Sequence, residues 1–410
     1  MKAAEYHPRA ASRRISELLK VLPVVVLTGA RQTGKSRLLG SEIPLAGHKL
    51  FTLDDMATRT EALRDPAAFV ARAPKMVIDE IQRAPELLIA VKAAVDAEDQ
   101  KTPGRFVLTG SANLLLMKQV SESLAGRAAY VTLEPMTRRE VLGDASTGNW
   151  DAFFDRPAAE WVGELSKSTA RKEDWRSVAH RGGFPYPALR LDDAARRVWF
   201  DGYITTYLER DLRELSAVDD LVAFRRAMQA FAIRTGTPVN SSAVSAELGL
   251  VARTLRRWLD LLDVSYQLLQ LPAFTARKAT RLRKRPKYYW NDSALAMHLS
   301  GSEEPDGVHL ETLVYTDLRA WAALDSRRPS LMYWRDDENR EVDFVIERDG
   351  KLLAVEVKAT TRPTYDDWKH LRHFVSEYKR TTIGGVLLHG GDETFQAADG
   401  VIAVPWWRVM

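Results

Sequence analysis

The eight residues from Gly29 to Ser36 constrain the fold of this chain more than any other segment. Their sequence, Gly-Ala-Arg-Gln-Thr-Gly-Lys-Ser, matches the pattern G-x-x-x-x-G-K-[ST] at every position. A β-branched run precedes the segment at 24–27, and a helix-prone Arg-Leu-Leu follows it at 37–39. Strand, glycine-rich loop and helix in this order form a P-loop, in which backbone N–H groups and a helix N-terminus surround phosphates. The alternative, a glycine turn that fits the pattern by chance, leaves the flanking strand and helix unexplained.

The P-loop predicts ATP with Mg²⁺ as the bound cofactors. In such loops the lysine reaches the β- and γ-phosphates and the hydroxyl residue ligates magnesium, which assigns these roles to Lys35 and Ser36. The residues expected to surround the nucleotide are Gly29, Ala30, Arg31, Gln32, Thr33, Gly34, Lys35, Ser36 and Arg37.

An acidic pair, Asp79 and Glu80, follows the apolar run 76–78 and lies 44 residues after Lys35. In a P-loop ATPase, Asp79 would hold the magnesium shell and Glu80 would polarise the attacking water as a general base. The pair could instead only cap a helix. With the P-loop present, Glu80 favours hydrolysis over binding alone.

Two further positions are candidate catalytic residues. Ser111, or Asn113 close to it, follows the apolar run 106–108 and could contact the γ-phosphate or orient water, although a role in the turn fits equally well. Arg127 precedes the run 129–131 and could act as an arginine finger on the ATP of a neighbouring subunit. That role requires a homo-oligomer, for example a hexamer; a plain surface arginine is the alternative.

The spacing of apolar runs predicts an α/β multidomain protein. Runs at 24–27, 50–53, 76–78, 106–108 and 129–131, separated by helix-length segments, indicate a buried parallel sheet. The region 136–235 reads as helical, with a fixed loop at 182–187, and the last 120 residues return to a mixed pattern with strands near 331–334, 342–347, 352–357, 384–388 and 401–404. The predicted domains are an ATPase domain at 1–145, a helical region at 146–235, a winged-helix-like domain at 236–290 and a nuclease-like domain at 291–410.

Composition excludes several classes of site and location. The chain has no cysteine, so disulfides, thiolate zinc sites and a cysteine nucleophile are ruled out. No apolar run approaches the roughly 18 residues of a membrane span, and the N-terminus lacks an apolar signal core. We therefore expect a cytoplasmic protein. The net charge of +4 is mild, so the clustering of basic residues is what matters.

A helix-turn-helix pattern lies at 240–262, with a short capped helix, Gly249 at the turn and a second helix. On the second helix an apolar stripe is expected from Val251, Leu255, Leu259 and Leu262. Arg253, Arg256 and Arg257 fall on another face, as a DNA recognition helix requires. Seven basic and no acidic residues follow within 271–290: Arg277, Lys278, Arg281, Arg283, Lys284, Arg285 and Lys287. Such charge attracts nucleic acid; a scaffold with a solvated basic hairpin is the alternative.

Carboxylates and a lysine near the C-terminus resemble the PD-(D/E)XK nuclease pattern. Asp343 lies on one predicted strand, and Glu356 and Lys358 share one face of the next. A hairpin turn at 349–350 would bring the three together, and Glu311 on a preceding helix would add a fourth group. In such nucleases the carboxylates bind magnesium and the lysine positions or activates water. An ion-pair network at the sheet is the alternative.

The motifs together identify a family. The chain resembles prokaryotic AAA-superfamily ATPases whose C-terminal half is a domain of uncharacterised function. The matching segments are the P-loop, Ile78-Asp79-Glu80-Ile81-Gln82, Leu108-Thr109-Gly110-Ser111, Leu124-Ala125-Gly126-Arg127, Gly182-Gly183-Phe184-Pro185, Tyr207-Leu208-Glu209-Arg210-Asp211 and Glu341-Val342-Asp343-Phe344. The resemblance implies an AAA-type module, a winged-helix-like insert and a nuclease-like C-terminal fold.

Three functions fit these features. The favoured one is an oligomeric ATPase that remodels DNA or translocates along it. The second is an ATP-gated nuclease of a defence or repair system, and the third is a nucleotide-dependent switch that binds a partner protein.

Overall fold

The computed structural model describes residues 6–41, 45, 47–97, 102–110, 124–206, 220–276 and 284–410. The chain divides into two compact units. The first comprises Met1–Met136, Glu140–Ser146 and Val264–Gln267, and the second comprises Thr137–Arg139, Thr147–Asp263 and Leu268–Met410. Among the described residues, we find no helix that combines the length and the apolar character of a membrane span.

The first unit is built on a five-stranded sheet. Its strands are β1 (Val24–Thr28), β2 (His48–Thr52), β3 (Lys75–Asp79), β4 (Phe106–Thr109) and β5 (Ala128–Thr132). Its helices are α1 (Ala11–Leu18), α2 (Lys35–Ser41), α3 (Met56–Arg64), α4 (Pro66–Val70) and α5 (Leu87–Asp96), with a 3₁₀ turn at Ile81–Arg83. The strand order is β2-β3-β4-β1-β5 and every pairing is parallel. The five predicted strands are thereby confirmed.

Burial explains why these strands were visible in the sequence. The central strands β1 and β4 are buried along their whole length, whereas the edge strands β2 and β5 are partly exposed. A strand buried on both faces needs a continuous apolar run. Because the strands are parallel, the P-loop after β1, Asp79 at the end of β3 and Thr109 at the end of β4 all lie at one edge of the sheet.

Helices dominate the second unit up to its C-terminal sheet. They are α6 (Arg138–Val141), whose first residues belong to this unit, α7 (Trp150–Asp155), α8 (Trp161–Ser166), α9 (Trp175–Arg181), α10 (Pro185–Arg190), α11 (Asp193–Tyr203), α12 (Leu221–Ile233), α13 (Ser241–Glu247), α14 (Ala252–Val264), α15 (Ser293–Ser300) and α16 (Gly307–Leu324). A 3₁₀ turn spans Ala158–Glu160, and a two-stranded antiparallel hairpin of β6 (Leu268–Leu271) and β7 (Lys287–Trp290) follows α14.

The C-terminal sheet has six strands in the order β12-β13-β11-β10-β9-β8. They are β8 (Ser330–Arg335), β9 (Glu341–Arg348), β10 (Lys351–Lys358), β11 (Thr382–His389), β12 (Phe395–Ala398) and β13 (Val401–Pro405), with α17 (Tyr365–Glu377) and α18 (Trp406–Val409). All five predicted strands are present, and β12 was missed because it is short and only half-buried. The predicted turn at Asp349 and Gly350 joins β9 to β10, with φ of 52° and 76°.

Three apolar clusters lie in the second unit, and one of them packs α17 against the C-terminal sheet through residues such as Phe374 and Val345. Helices α7, α8 and α9 contribute Trp150, Trp161 and Trp175 to a cluster that covers one face of the C-terminal sheet. A separate cluster joins α12 and α14 to α15 and includes Phe224 and Trp258. The helical region from 150 to 181 therefore shares its core with the C-terminal sheet.

The segment 182–187 is a loop only from Gly182 to Phe184, because Pro185 already begins α10. Asp292 explains why glycine is needed there: its carboxylate accepts a hydrogen bond from Gly183 N at 2.5 Å. Gly182 has a φ of 66°, and a Cβ at this position would lie 2.6 Å from the Asp292 oxygens. A side chain at Gly182 would thus be strained in its backbone and would collide with the carboxylate.

The helix-turn-helix pattern forms the two predicted helices. Asn240 caps α13 by accepting from Ser242 N at 3.1 Å, and Gly249 makes the turn with a φ of 67°. Val251 was wrongly placed on the apolar stripe, since it precedes α14 and is 70% exposed. The buried face of α14 consists of Leu255, Trp258, Leu259, Leu261 and Leu262.

Candidate active site

The backbone of the P-loop requires glycine at Gly29. Gly29 has a φ of 136°, and a Cβ there would lie 2.3 Å from the carbonyl oxygen of Leu133. Gln32 and Gly34 also have left-handed φ angles, of 66° and 93°. Because only glycine avoids the clash at Gly29, β5 and the loop can approach each other closely enough to fix the loop's path.

Lys35 is buried and is held by the loop itself. Its ammonium donates to the carbonyl oxygens of Gly29 at 3.1 Å and Ala30 at 2.8 Å. Burial lowers the pKa of Lys35 to about 8, against the opposing effect of the nearby Glu80 and Asp79 carboxylates. The ammonium is therefore positioned at the loop by weak partners, which phosphate oxygens can replace.

Asp79 joins three elements at this edge of the sheet. Its carboxylate accepts a hydrogen bond from the Ser36 hydroxyl at 3.0 Å and another from the hydroxyl of Thr109. A hydroxyl and a carboxylate in contact are oxygen ligands of the kind that Mg²⁺ prefers, so the pair fits the metal that accompanies ATP. The sequence analysis did not identify Thr109 as a site residue.

Glu80 sits directly beyond this carboxylate. Its φ of 58° turns the chain sharply after β3, and the Gln82 side-chain amide donates to its carboxylate. A half-buried carboxylate that is oriented by a neighbouring amide next to the P-loop can accept a proton from water.

The geometry agrees with comparisons to known proteins. Residues 22–142 match the family described as "AAA domain", residues 172–306 match a domain of unknown function (DUF8612), and residues 306–409 match a domain of unknown function (DUF4143). An uncharacterized protein of Mycobacterium tuberculosis is 30% identical over 410 residues, which cover 97% of this chain and 83% of that protein. This chain belongs to the AAA superfamily of ATPases. It binds and hydrolyses ATP with its AAA domain and ends in a domain of unknown function.

Two further similarities are weaker. An uncharacterized protein of Haemophilus influenzae is 21% identical over 388 residues, covering 88% of this chain and 89% of that protein. The Walker-type ATPase of Pyrococcus abyssi is 16% identical, with a TM-score of 0.42, and the alignment covers 70% of this chain and 94% of that chain.

Residues distant from the P-loop in the sequence contact its backbone in this AAA ATPase, and the sequence analysis did not identify them. The Arg9 guanidinium donates to the carbonyl oxygens of Thr33 at 2.7 Å and Glu134 at 2.6 Å, and pairs with Glu140 at 3.1 Å. Arg9 and Glu140 are both almost fully buried. Contacts to backbone carbonyls follow no residue pattern, so no motif could have indicated them.

Tyr266 is a second missed residue. Its hydroxyl donates to the Thr28 hydroxyl at 3.0 Å, immediately before the first glycine of the P-loop. Val264–Gln267 belongs to the first unit, although α14 up to Asp263 and β6 belong to the second. A positive φ of 58° at Tyr266 is the local sign of a sharp change in chain direction.

Arg127 lies at the opposite edge of the sheet from the P-loop. It precedes Ala128, which pairs with Val24 at the amino end of β1. Its guanidinium forms two bonds to the Asp96 carboxylate, at 2.5 Å and 2.9 Å. Its role as an arginine finger stays a prediction, and Ser111 and Asn113 lie outside the described residues.

The basic residues predicted to contact DNA separate into two groups. Arg253, Arg256 and Arg257 are exposed on α14, and Lys284 and Arg285 are exposed before β7. Arg277, Lys278, Arg281 and Arg283 lie outside the described residues.

Lys287 does not belong to the exposed basic tail in which the sequence placed it. It is 1% exposed, and its ammonium faces the C-terminal carboxylates.

The structure also brings the C-terminal candidates together. Asp343 accepts from Val357 N at 2.9 Å, beside Glu356 on the paired strand. Lys358 donates to Glu356 at 2.6 Å. Burial, and next to it the nearby Asp343 carboxylate, raise the pKa of Glu311 on α16 to about 7. Among the described residues there is no group of three or more His, Cys, Asp or Glu side chains that could hold a metal ion.

The lowered pKa of Lys35 makes a prediction about ATP binding. Phosphates favour the charged ammonium, so binding above about pH 8 must be accompanied by proton uptake. ATP affinity should fall by up to about tenfold per pH unit above that value, and calorimetry at about pH 8.5 in buffers of different ionisation enthalpy should detect most of one proton taken up.

Lys35→Arg is the matched control, because a guanidinium stays charged throughout this range. If it binds ATP, it should show no proton uptake. An unchanged wild-type affinity from about pH 7.5 to about 9.5 would contradict the assignment of Lys35 to the phosphates.

Proposed function

We propose that this AAA ATPase is Mg²⁺-dependent, assembles as a homo-oligomer and acts on DNA, by remodelling it or by translocating along it. The observation that supports DNA as the substrate is the form of α14. One face of this helix is buried in the second unit, and the other exposes Arg253, Arg256 and Arg257.

The nucleotide chemistry follows from the residues around the P-loop. Lys35 exchanges its two carbonyl partners for the β- and γ-phosphates of ATP. Ser36 and Asp79 would hold magnesium, which neutralises phosphate charge when it is bound. Glu80 then accepts the proton of the attacking water, with its carboxylate held by Gln82.

The region after α13 supports contact with a nucleic acid. A short helix capped by Asn240, a tight turn at Gly249 and a longer helix form a helix-turn-helix, and the β6–β7 hairpin follows in the position of a wing. The connection between the hairpin strands carries the basic tail, of which Lys284 and Arg285 are exposed. Recognition helix and wing would present positive charge to the phosphate backbone.

The DNA part of the proposal is tested by ATP turnover with and without duplex, single-stranded and branched DNA. Stimulation by at least one of these is expected. An ATP turnover rate that none of the three DNAs changes would favour the alternative function, a nucleotide-dependent switch that binds a protein partner.

Removing the basic tail should weaken DNA binding in a salt-dependent way. Replacing Arg281, Arg283, Lys284 and Arg285 by Ala should lower the affinity and reduce the slope of log affinity against log salt by up to roughly 0.9 per lost phosphate contact on duplex DNA. Fluorescence anisotropy across a salt series measures both quantities.

A control for this variant removes the same charge from another exposed segment, with Arg362, Arg372, Lys379 and Arg380 replaced by Ala. This control should keep the wild-type slope. Equal losses in both variants would mean that the effect comes from net charge and that the tail is scaffold.

Arg127 tests the oligomer. Arg127 lies away from the P-loop of its own chain, so it could take part in catalysis only at the P-loop of a neighbouring subunit. Arg127→Ala should lower hydrolysis and retain ATP binding, and mixing it with Lys35→Ala subunits should restore part of the activity.

Asp96→Ala is the matched control for Arg127→Ala, because it breaks the same ion pair and leaves the guanidinium in place. It should keep most of the activity. Full activity of Arg127→Ala would remove the arginine from the mechanism.

A further inference from the structure

The buried lysine of β7 occupies the centre of the C-terminal carboxylate cluster. The ammonium of Lys287 lies 2.7 Å from Glu341, 3.1 Å from Glu311 and 3.6 Å from Asp343. It also lies 5.5 Å from the centre of the Tyr333 ring. The side chain is 1% exposed, so these groups are its surroundings in place of water.

The cluster otherwise resembles the PD-(D/E)XK nuclease pattern, in which carboxylates bind a divalent cation. Mg²⁺ requires six oxygen ligands at about 2.1 Å and repels a fixed ammonium at the same carboxylates. The residues of this chain do not fit that metal. Asp343, one of the predicted metal ligands, and Glu311, the additional group on α16, both face the ammonium of Lys287 instead.

Much of the other hydrogen-bonding capacity of the cluster is also taken up, although Glu356 Oε2 is buried without a hydrogen-bond partner among the described residues. The second oxygen of Asp343 accepts from Val357 N at 2.9 Å, and Lys358 holds Glu356 at 2.6 Å. The Tyr289 hydroxyl, two residues along β7 from Lys287, donates to Glu311. The same hairpin strand thus supplies a cation and a hydroxyl to the cluster.

We infer that the ammonium of Lys287 takes the place that a divalent cation has in PD-(D/E)XK nucleases, and that the C-terminal domain is a metal-free module that does not cleave DNA. The inference goes beyond the proposed ATPase function and does not depend on it. It assigns the cluster a binding partner within the chain itself, the β7 strand of the hairpin.

Charge accounts for the stability of this arrangement. Burial and the neighbouring Asp343 raise the pKa of Glu356 well above its usual value, and the three carboxylates around Lys287 raise the pKa of that lysine despite its burial. The ammonium therefore stays charged, and one internal charge balances carboxylates that would otherwise attract a metal.

The test removes the internal cation and adds a real one. Lys287→Met keeps the length of the buried side chain and removes its charge. In the full chain, this variant should bind one more Mn²⁺ than the wild type, measured from the loss of the free Mn²⁺ signal by electron paramagnetic resonance. Mn²⁺ should also raise the melting temperature of Lys287→Met and leave that of the wild type nearly unchanged.

Controls locate the gained ion. The double variant Lys287→Met with Asp343→Asn should lose the extra Mn²⁺, and Lys287→Arg, which keeps a cation, should not gain it. A folded Lys287→Met that binds no additional Mn²⁺ would overturn the inference.

The wild type provides a second, independent reading if Lys287→Met fails to fold. Wild type and Asp343→Asn should then bind equal amounts of Mn²⁺, and the wild type should leave labelled linear, nicked and branched DNA intact with Mg²⁺ or Mn²⁺. Metal binding or cleavage that Asp343→Asn abolishes would show that the site is a working nuclease centre.

Discussion

The carboxylate of Asp79 connects three elements of the AAA domain at one point. It accepts hydrogen bonds from the hydroxyl groups of Ser36, in the first turn of α2, and Thr109, at the end of β4. Asp79 itself is the last residue of β3. The parallel order of the sheet makes this meeting possible, since the carboxyl ends of β1, β3 and β4 share one edge. This contact positions the P-loop, the proposed magnesium ligands Ser36 and Asp79, and the proposed base Glu80 relative to one another. The proposed hydrolysis depends on it.

Two lysines are buried in the part of the chain that the structure describes, Lys35 and Lys287, and their surroundings differ. Lys35 donates to two backbone carbonyl oxygens, and burial lowers its pKa to about 8, which suits its proposed contact with phosphates. Lys287 is surrounded by three carboxylates of its own chain, and these carboxylates raise its pKa despite its burial. A lysine that contacts only neutral carbonyl groups suits a binding site for an anion. A buried lysine that is paired with carboxylates suits a structural role. On this account, the AAA domain carries the chemistry and the C-terminal domain carries none.

The sequence predicted those features that depend on local pattern. The P-loop, the Asp79–Glu80 pair and ten strands were visible because a buried strand needs an apolar run and a phosphate loop needs glycines at fixed positions. Contacts between distant residues were not visible. Arg9 reaches the backbone of Thr33, Tyr266 reaches Thr28, and Lys287 sits in a basic stretch whose composition pointed to solvent and DNA. In each case tertiary packing determines the partner, and neither the residue type nor its neighbours in the sequence indicate which partner that is.

The most direct test of the account is ATP binding and turnover of Glu80→Gln, compared with the wild type by calorimetry and by phosphate release. The amide keeps the shape of the side chain and cannot accept the proton of the attacking water. The account predicts ATP affinity close to that of the wild type and turnover slower by about 10²- to 10⁴-fold, the usual contribution of a general base. Turnover at the wild-type rate would contradict it, because the carboxylate after Asp79 would then have no part in hydrolysis.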